Sequence, residues 1–474
     1  MDKNFKKFGA MAIACCMIAA VSGCGGDKPK TAAPSEKGTP VTYATLKFRG
    51  LEDGEMPIGG FIGPTDKYTG NGYALPSLLT DEIFGYLQEC GINNVVDTKI
   101  DVSTQPEMAE TVLNLADKYE ISWFMQSTAI HDMKRDGVGS VLAETADFAA
   151  EWKRLSDAHP YYAGMYGLDE PSNILYPYIE NSWDRVKEAR ESLGAGYEDL
   201  SIYFNLYPSC PQMGTDENGK TISYQTYLDG YVATGAEYLQ FDMYPIYGEE
   251  GTISSWFSTL GQINATVRKA NIPWVGYIQA GGYFFDNNIG TEHRSPNENE
   301  LNWNVNTMLA FGAKGVSYFP CMFPPEWSAI PNDKAQSSSL IDKYGNKTQY
   351  WYYAKKINKQ IAAIDHVLMN SAQMGVIVAG KGEGFYTGDD CFENFRQLTS
   401  VSGDPALVGC FDYQGGTALY VVNNTLDVHR GEVTLTFDRE YECEVIQRGV
   451  VGSIVEKQFV LTLEAGEGAL VVLK

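Results

Sequence analysis

From about residue 56 to 330 the chain alternates short runs rich in β-branched and aromatic residues with longer amphipathic stretches. Eight short runs occur in order: "PIGGFIGP", "NNVVDTK", "ISWFMQST", "YYAGMYGLDEP", "SIYFNLYP", "YLQFDMYP", "IPWVGYIQAGG" and "GVSYFPCM". The stretches between them read as helices. In "TDEIFGYLQECG", Thr80 is placed to cap the N-terminus, Ile83, Phe84 and Leu87 share one apolar face, and Gly91 ends the helix. Three helix-to-strand joins, "CGINNVV", "TGAEYLQF" and "FGAKGVSYF", are alike, as expected of one repeated unit. Eight strand-helix units over roughly 250 residues predict an α/β fold, a (β/α)8 TIM barrel.

The rival architecture, an open doubly wound sheet, carries a glycine-rich phosphate loop after its first strand, and none is present there. The nearest such cluster, "GKGEGF" at 380–385, lacks the lysine-hydroxyl pair of a P-loop and reads as a turn. Residues 347–369 are expected to form one long helix. From about residue 385, "ALYVVNNT", "GEVTLTF", "CEVIQRG" and "KQFVLTLEAGEGALVVL" alternate apolar and polar positions between turn residues, which predicts a small antiparallel β-sandwich. The division is therefore a barrel over 46–370 and a β-sandwich over 371–474. A barrel followed by a short β-sandwich resembles an arrangement seen repeatedly in glycoside hydrolases.

The N-terminus stands apart from this pattern. "MDKNFKKFGAMAIACCMIAAVSGCGG" has a basic start, an apolar stretch from Ala10 to Val21 too short to span a bilayer, and small residues before Cys24. "VSGC" resembles the lipobox of bacterial lipoproteins. That resemblance implies a signal peptide over 1–23, lipidation of the Cys24 thiol, and a membrane partner reached through the lipid anchor. The protein would then be exported and tethered to the outer face of a membrane. Residues 24–45, rich in Gly, Pro, Lys and Ser, would be a disordered tether. The remaining cysteines, Cys90, Cys210, Cys321, Cys391, Cys410 and Cys443, are scattered without zinc-site spacing, although a disulfide within the last three is open.

Charge narrows the partners. Lys plus Arg number 36 against 60 Asp plus Glu, a formal net charge of -24, with no basic block, so a nucleic-acid partner is excluded. An acidic surface with 30 Tyr and 8 Trp suits a neutral ligand such as a sugar, an oligo- or polysaccharide. The five histidines, His131, His159, His293, His366 and His429, show no metal spacing, and neither a metal nor another cofactor is called for.

Barrels do their chemistry at the C-terminal ends of the strands, and here those ends are polar. "GLDEP" closes the fourth run, "FNLYP" the fifth, "QFDMYP" the sixth and "GYIQAGG" the seventh. The period of two sends Leu239, Phe241 and Met243 toward the helices, so Asp242 and Tyr244 point into the mouth. The same count places Asn205 with Tyr203 and Tyr207, and Gln279 with Tyr277. Two carboxylates in an aromatic-lined cleft are the requirement of glycosidic cleavage: one protonates the leaving oxygen, the other stabilises or attacks the oxocarbenium centre. Glu170, flanked by Tyr166, Leu168 and Pro171, is the candidate acid. Its partner is either Asp242 across the mouth or the adjacent Asp169. Tyr244, Gln279, Asn205, Tyr207, Tyr166, Tyr318 and Trp327 are the candidate substrate-binding residues, while Trp303, within a helical stretch, is expected in the core.

An Asp-Glu pair ending the fourth strand resembles the hexosaminidase-type glycosidases with substrate-assisted catalysis. That implies Asp169 on a substrate acetamido group, Glu170 as acid and base, and help from a tyrosine such as Tyr244. The larger group of retaining barrel hydrolases has Asn-Glu on strand four and a nucleophilic Glu on strand seven. This chain departs from it at both places, with Asp169 before Glu170 and Gln279 at the second. The expected function is therefore a glycoside hydrolase of unassigned family acting on an extracellular glycan. The alternative, suggested by Gln279, is a carbohydrate-binding lipoprotein that keeps the cleft without turnover. A peptidase or esterase lacks a nucleophile motif.

Overall fold

The computed structural model describes residues 41–474 except 71, 248–251, 253, 283–292, 326–338, 381, 385 and 427–429. Cys24, Trp327 and the expected signal peptide lie outside the described residues. Eight parallel strands, β1 (Ile58–Phe61), β2 (Asn94–Asp101), β3 (Ser122–Gln126), β4 (Tyr162–Asp169), β5 (Ser201–Asn205), β6 (Leu239–Phe241), β7 (Trp274–Gln279) and β8 (Gly315–Phe319), pair in chain order. β8 returns to β1 in register Gly59↔Ser317. The ring closes between β5 and β6, where the Leu206 amide donates to the Gln240 carbonyl at 2.8 Å and the Asp242 amide donates to Leu206 at 3.3 Å.

Eight helices follow the strands: α1 (Asp81–Cys90), α2 (Pro106–Tyr119), α3 (Thr145–Ala158), α4 (Tyr176–Leu193), α5 (Tyr224–Ala233), α6 (Trp256–Ala270), α7 (Glu298–Ala310) and α8 (Gln349–Ala362). In α1 the Thr80 side chain accepts from the Ile83 amide, Gly91 turns left-handed at φ 80°, and Ile83, Phe84 and Leu87 are buried, as their spacing demands. The segment before β1 seals the end where the strands begin. Its Phe48 ring packs 5.1 Å from Phe124 and 5.4 Å from Tyr238.

The helix expected over 347–369 is broken. α8 stops at Ala362, and Asp365–Leu368 form a separate turn. The buried Lys314 ammonium, just ahead of β8, donates to the carbonyls of Leu368, Met369 and Ser371 at the end of that turn. Leu368 and Met369 end the segment, where helix carbonyls have no partner within the helix, and the ammonium supplies one. Lys314→Met should lower unfolding free energy by about 2–4 kcal/mol, since it strands buried acceptors. Urea unfolding checks this, and a change below ~0.5 kcal/mol, the size of an ordinary surface substitution, would contradict it.

The C-terminal strands differ from a two-sheet sandwich. β9 (Ser371–Ala379), β10 (Leu398–Gly403), β11 (Ala406–Tyr413), β12 (Gly416–Asn423), β13 (Gly431–Gln447), β14 (Val450–Leu463) and β15 (Gly468–Leu473) form a single antiparallel sheet. Its order is β9-β11-β12-β15-β13-β10, with β14 on β13. The 17-residue β13 pairs with β10 through its first half and with β15 through its second, and a register shift between Thr436 and Tyr441 bends the β13-β14 ribbon so the sheet folds over its own core. Leu419, Val421, Leu435 and Phe437 fill that core, while Leu407, Ala418, Tyr420 and Val422 face the barrel. Strands buried on both faces lose their alternation, which is why β11 and β12 read as nearly continuous apolar runs.

α7 is the strut between the two parts. It is buried all round, so its asparagines and Trp303 need partners. Trp303 Nε1 donates to Asn424 at 2.9 Å, Tyr420 donates to Asn306 at 2.7 Å, and Asn306 donates to the Gly466 carbonyl at 2.8 Å. Trp303 is core, as expected. The six described cysteines are free thiols. No helix among the described residues is long and apolar enough to cross a membrane.

Candidate active site

The floor of the barrel mouth is aromatic. Phe61, ending β1, lies 5.2 Å from Tyr277, 6.0 Å from Phe319, 6.3 Å from Tyr166 and 6.4 Å from Tyr203. Tyr203 and Tyr277 share a hydroxyl hydrogen bond of 2.9 Å, and the Gln240 amide donates to the Tyr203 hydroxyl. This polar layer closes the interior and leaves the ends of β4, β5 and β6 to face the mouth.

Three carboxylates stand there. Asp169 ends β4, and its Oδ1 accepts from Asn205 Nδ2, on β5, at 2.8 Å. Glu170 follows with φ 51°, a left-handed conformation uncommon for a residue with a Cβ. The strain is held on both sides. The Glu170 amide donates to the Asn205 carbonyl at 2.7 Å, and the Pro171 carbonyl accepts from Tyr227 of α5 at 2.6 Å. The turn swings the Glu170 carboxyl out of the strand alternation into a buried position where neither oxygen accepts a hydrogen bond. Asp242, just past β6, is also buried, and its Oδ1 accepts none.

The electrostatics follow from that geometry. Burial pushes the Glu170 carboxyl well above the usual range, the Asp242 charge pushes it further and Asp169 further still, with Arg135 opposing. Asp242 is likewise raised by burial and by Asp169, against hydrogen bonding from its own backbone amide, Asn205 and Tyr244. Asp169 is raised by burial but held back by the Asn205 hydrogen bond and by Arg135. Asp169 raises Asp242 and both raise Glu170, so Glu170 is the carboxyl most strongly biased toward its protonated form. A protonated carboxyl beside an ionised one is what acid-base catalysis requires, and carboxyls crowded in one buried site do not all ionise together.

Of the candidate binding residues, Tyr244 stacks 5.4 Å from Phe319 over the mouth. Asn205 bridges the carboxylates. Tyr207, buried, lies under the Arg135 guanidinium, and Tyr166 joins the floor. Gln279 ends β7 as expected, but its amide is fully engaged. It accepts from the Ile246 amide and donates to the carbonyls of Ile246 and Arg294, each at 2.9 Å. It clamps two mouth loops together and so presents nothing to a ligand. Tyr318 does not reach the mouth: its hydroxyl donates to Asn358 of α8 at 2.7 Å, because its place in the β8 alternation faces the helices.

Two mouth residues carry no sequence signal. Arg135, from the loop after β3, reaches back to donate to the Asp169 carbonyl at 3.1 Å, with Nη2 3.6 Å from Glu170 Oε2. His293, after β7, packs edge-on 5.9 Å from Tyr244 and 5.3 Å from Tyr247, and burial lowers its pKa to about 4. Among the described residues no group of three His, Cys, Asp or Glu side chains is placed to hold a metal.

No protein-family model and no curated protein matches the chain. Solved structures do. An α-amylase from Anoxybacillus superposes with a TM-score of 0.50 at 12% identity, over 88% of this chain and 97% of that one. The shared feature is the architecture, a parallel (β/α)8 barrel followed by a C-terminal β domain. A β-L-arabinopyranosidase from Geobacillus stearothermophilus, in complex with arabinose, aligns over the same shares at 10% identity with a TM-score of 0.43. At such identities the likeness is one of fold, and what the barrel does rests on its own carboxylates.

Proposed function

We propose that the protein is a glycoside hydrolase in which Glu170 protonates the departing glycosidic oxygen and Asp242 is the second carboxylate, acting on the anomeric centre. The observation that carries this reading is the buried Glu170 carboxyl, without a hydrogen bond on either oxygen, raised by a neighbouring Asp242 at the C-terminal end of a barrel. Asp242 is preferred to Asp169 as the partner because its Oδ1 accepts no hydrogen bond, whereas Asp169 Oδ1 is tied to Asn205. Asp169 and Asn205 then position the pair. The substrate is an extracellular oligo- or polysaccharide, met by a protein anchored outside the cell through lipid on Cys24. Gln279 is a loop clamp and supplies no carboxylate, so in this reading the second carboxylate is Asp242.

A screen of aryl glycosides with and without a 2-acetamido group tests the proposal. Turnover of at least one is expected, and glycan binding with no turnover would support the non-catalytic alternative. The pH profile carries a second expectation. Glu170 must be protonated and its partner ionised, so kcat/KM should be bell-shaped, with the acidic limb above the ordinary carboxylate range because burial raises Asp242 too. Asp169→Asn removes a negative charge that raises Glu170, so the alkaline limb should move to lower pH; a shift to higher pH would contradict the assignment.

A further inference from the structure

We infer that the ring whose bond is cleaved carries a carboxylate, that is, a uronosyl residue, and that Arg135 binds it; the inference rests on the glycosidase reading above. Arg135 sits in the loop after β3, narrowed by a two-stranded ribbon, His131–Asp132 with Val141–Leu142. Its neighbour Lys134 is committed to Asp132. Arg135 instead extends into the mouth, its guanidinium carbon 5.8 Å from the centre of the Tyr207 ring.

The guanidinium is anchored by one edge only. Nη2 donates to the Asp169 carbonyl at 3.1 Å and approaches Glu170 Oε2 at 3.6 Å, beyond a hydrogen bond. Nε and Nη1 donate to no described residue, and the side chain is 44% exposed. Were Arg135 simply the counter-ion of Glu170, it would bond that carboxylate. The Glu170 oxygens accept nothing, and the open N–H donors of the fork remain. A planar fork lying over an aromatic ring, with an open edge beside the catalytic carboxyls, matches a carboxylate in two-point geometry. A neutral hexose offers hydroxyl acceptors but no charge and no paired oxygens to match the fork. A cation here also offsets the repulsion that Asp169, Glu170 and Asp242 would exert on an acidic sugar.

The test compares kcat/KM for 4-nitrophenyl hexuronides, glucuronide and galacturonide, with that for the matching hexosides, in the parent and in Arg135→Gln and Arg135→Lys. The parent should favour a hexuronide. Arg135→Gln should lower the hexuronide-to-hexoside ratio ~10–100-fold, the worth of a charge-assisted paired contact. Arg135→Lys should restore part of it, since charge without the fork is half the device. Circular dichroism confirms that each variant is folded. Hexoside turnover with no hexuronide preference, or an Arg135→Gln effect equal on both classes, would overturn the inference and leave the glycosidase reading standing. No turnover of any glycoside would overturn both.

Discussion

Glu170→Gln is expected to reduce kcat/KM on glycosides with poor leaving groups by ~10²–10⁴-fold, the range that a positioned general acid supplies. The substitution keeps the shape of the side chain and removes its proton. It should also raise thermal stability at neutral pH. The folded-state pKa of Glu170 is raised, so the group favours folding only below its unfolded pKa and loses that contribution as pH rises through the folded value. At neutral pH the parent therefore holds a buried carboxyl under pressure to ionise without a hydrogen bond to receive the charge, and the amide does not. A variant that is more stable and nearly inactive is the signature of a residue kept for chemistry. A loss of stability matching the loss of activity would mark Glu170 as structural.

The second large effect separates its two neighbours. Asp242→Asn should lower kcat on any cleaved glycoside by ~10⁴-fold, as removal of an essential group in a catalytic set does. Asp169→Asn should cost far less, ~10-fold, because Asp169 acts by orienting Asn205, a role an amide partly fills. Single-turnover rates on one substrate give the order. If Asp169→Asn proved the more damaging, and only on 2-acetamido sugars, the partner of Glu170 would be the residue beside it, acting through the substrate's own acetamido oxygen.

The architecture was legible because a barrel repeats itself. Each of the eight runs became a strand, and Thr80 and Gly91 bound α1 as their chemistry requires. Asn205, Asp242 and Tyr244 fell together at the mouth because strand parity is local and needs no tertiary information. What was not legible depends on distant partners. The turn that follows the break after α8 is capped by Lys314, some fifty residues away in sequence. The C-terminal sheet is single because β13 is long enough to pair with three strands, and alternation alone does not count neighbours. Gln279 reads as a ligand contact until the Ile246 and Arg294 backbones are seen to occupy it. Tyr318 lies one residue off the inward set of β8, and a one-residue step reverses the face. Arg135 and His293 come from loops, where no periodicity announces direction.

The most direct measurement of the role of Glu170 is the dependence of rate on leaving-group acidity, in the parent and in Glu170→Gln, across aryl glycosides from phenyl to 2,4-dinitrophenyl. A leaving group that needs no proton does not need the acid. The expected result is a shallow dependence in the parent and a steep one in the variant, with the dinitrophenyl glycoside cleaved by Glu170→Gln at close to the parental rate. An equal loss on every leaving group, or no loss on any, would contradict the assignment of Glu170 as the general acid.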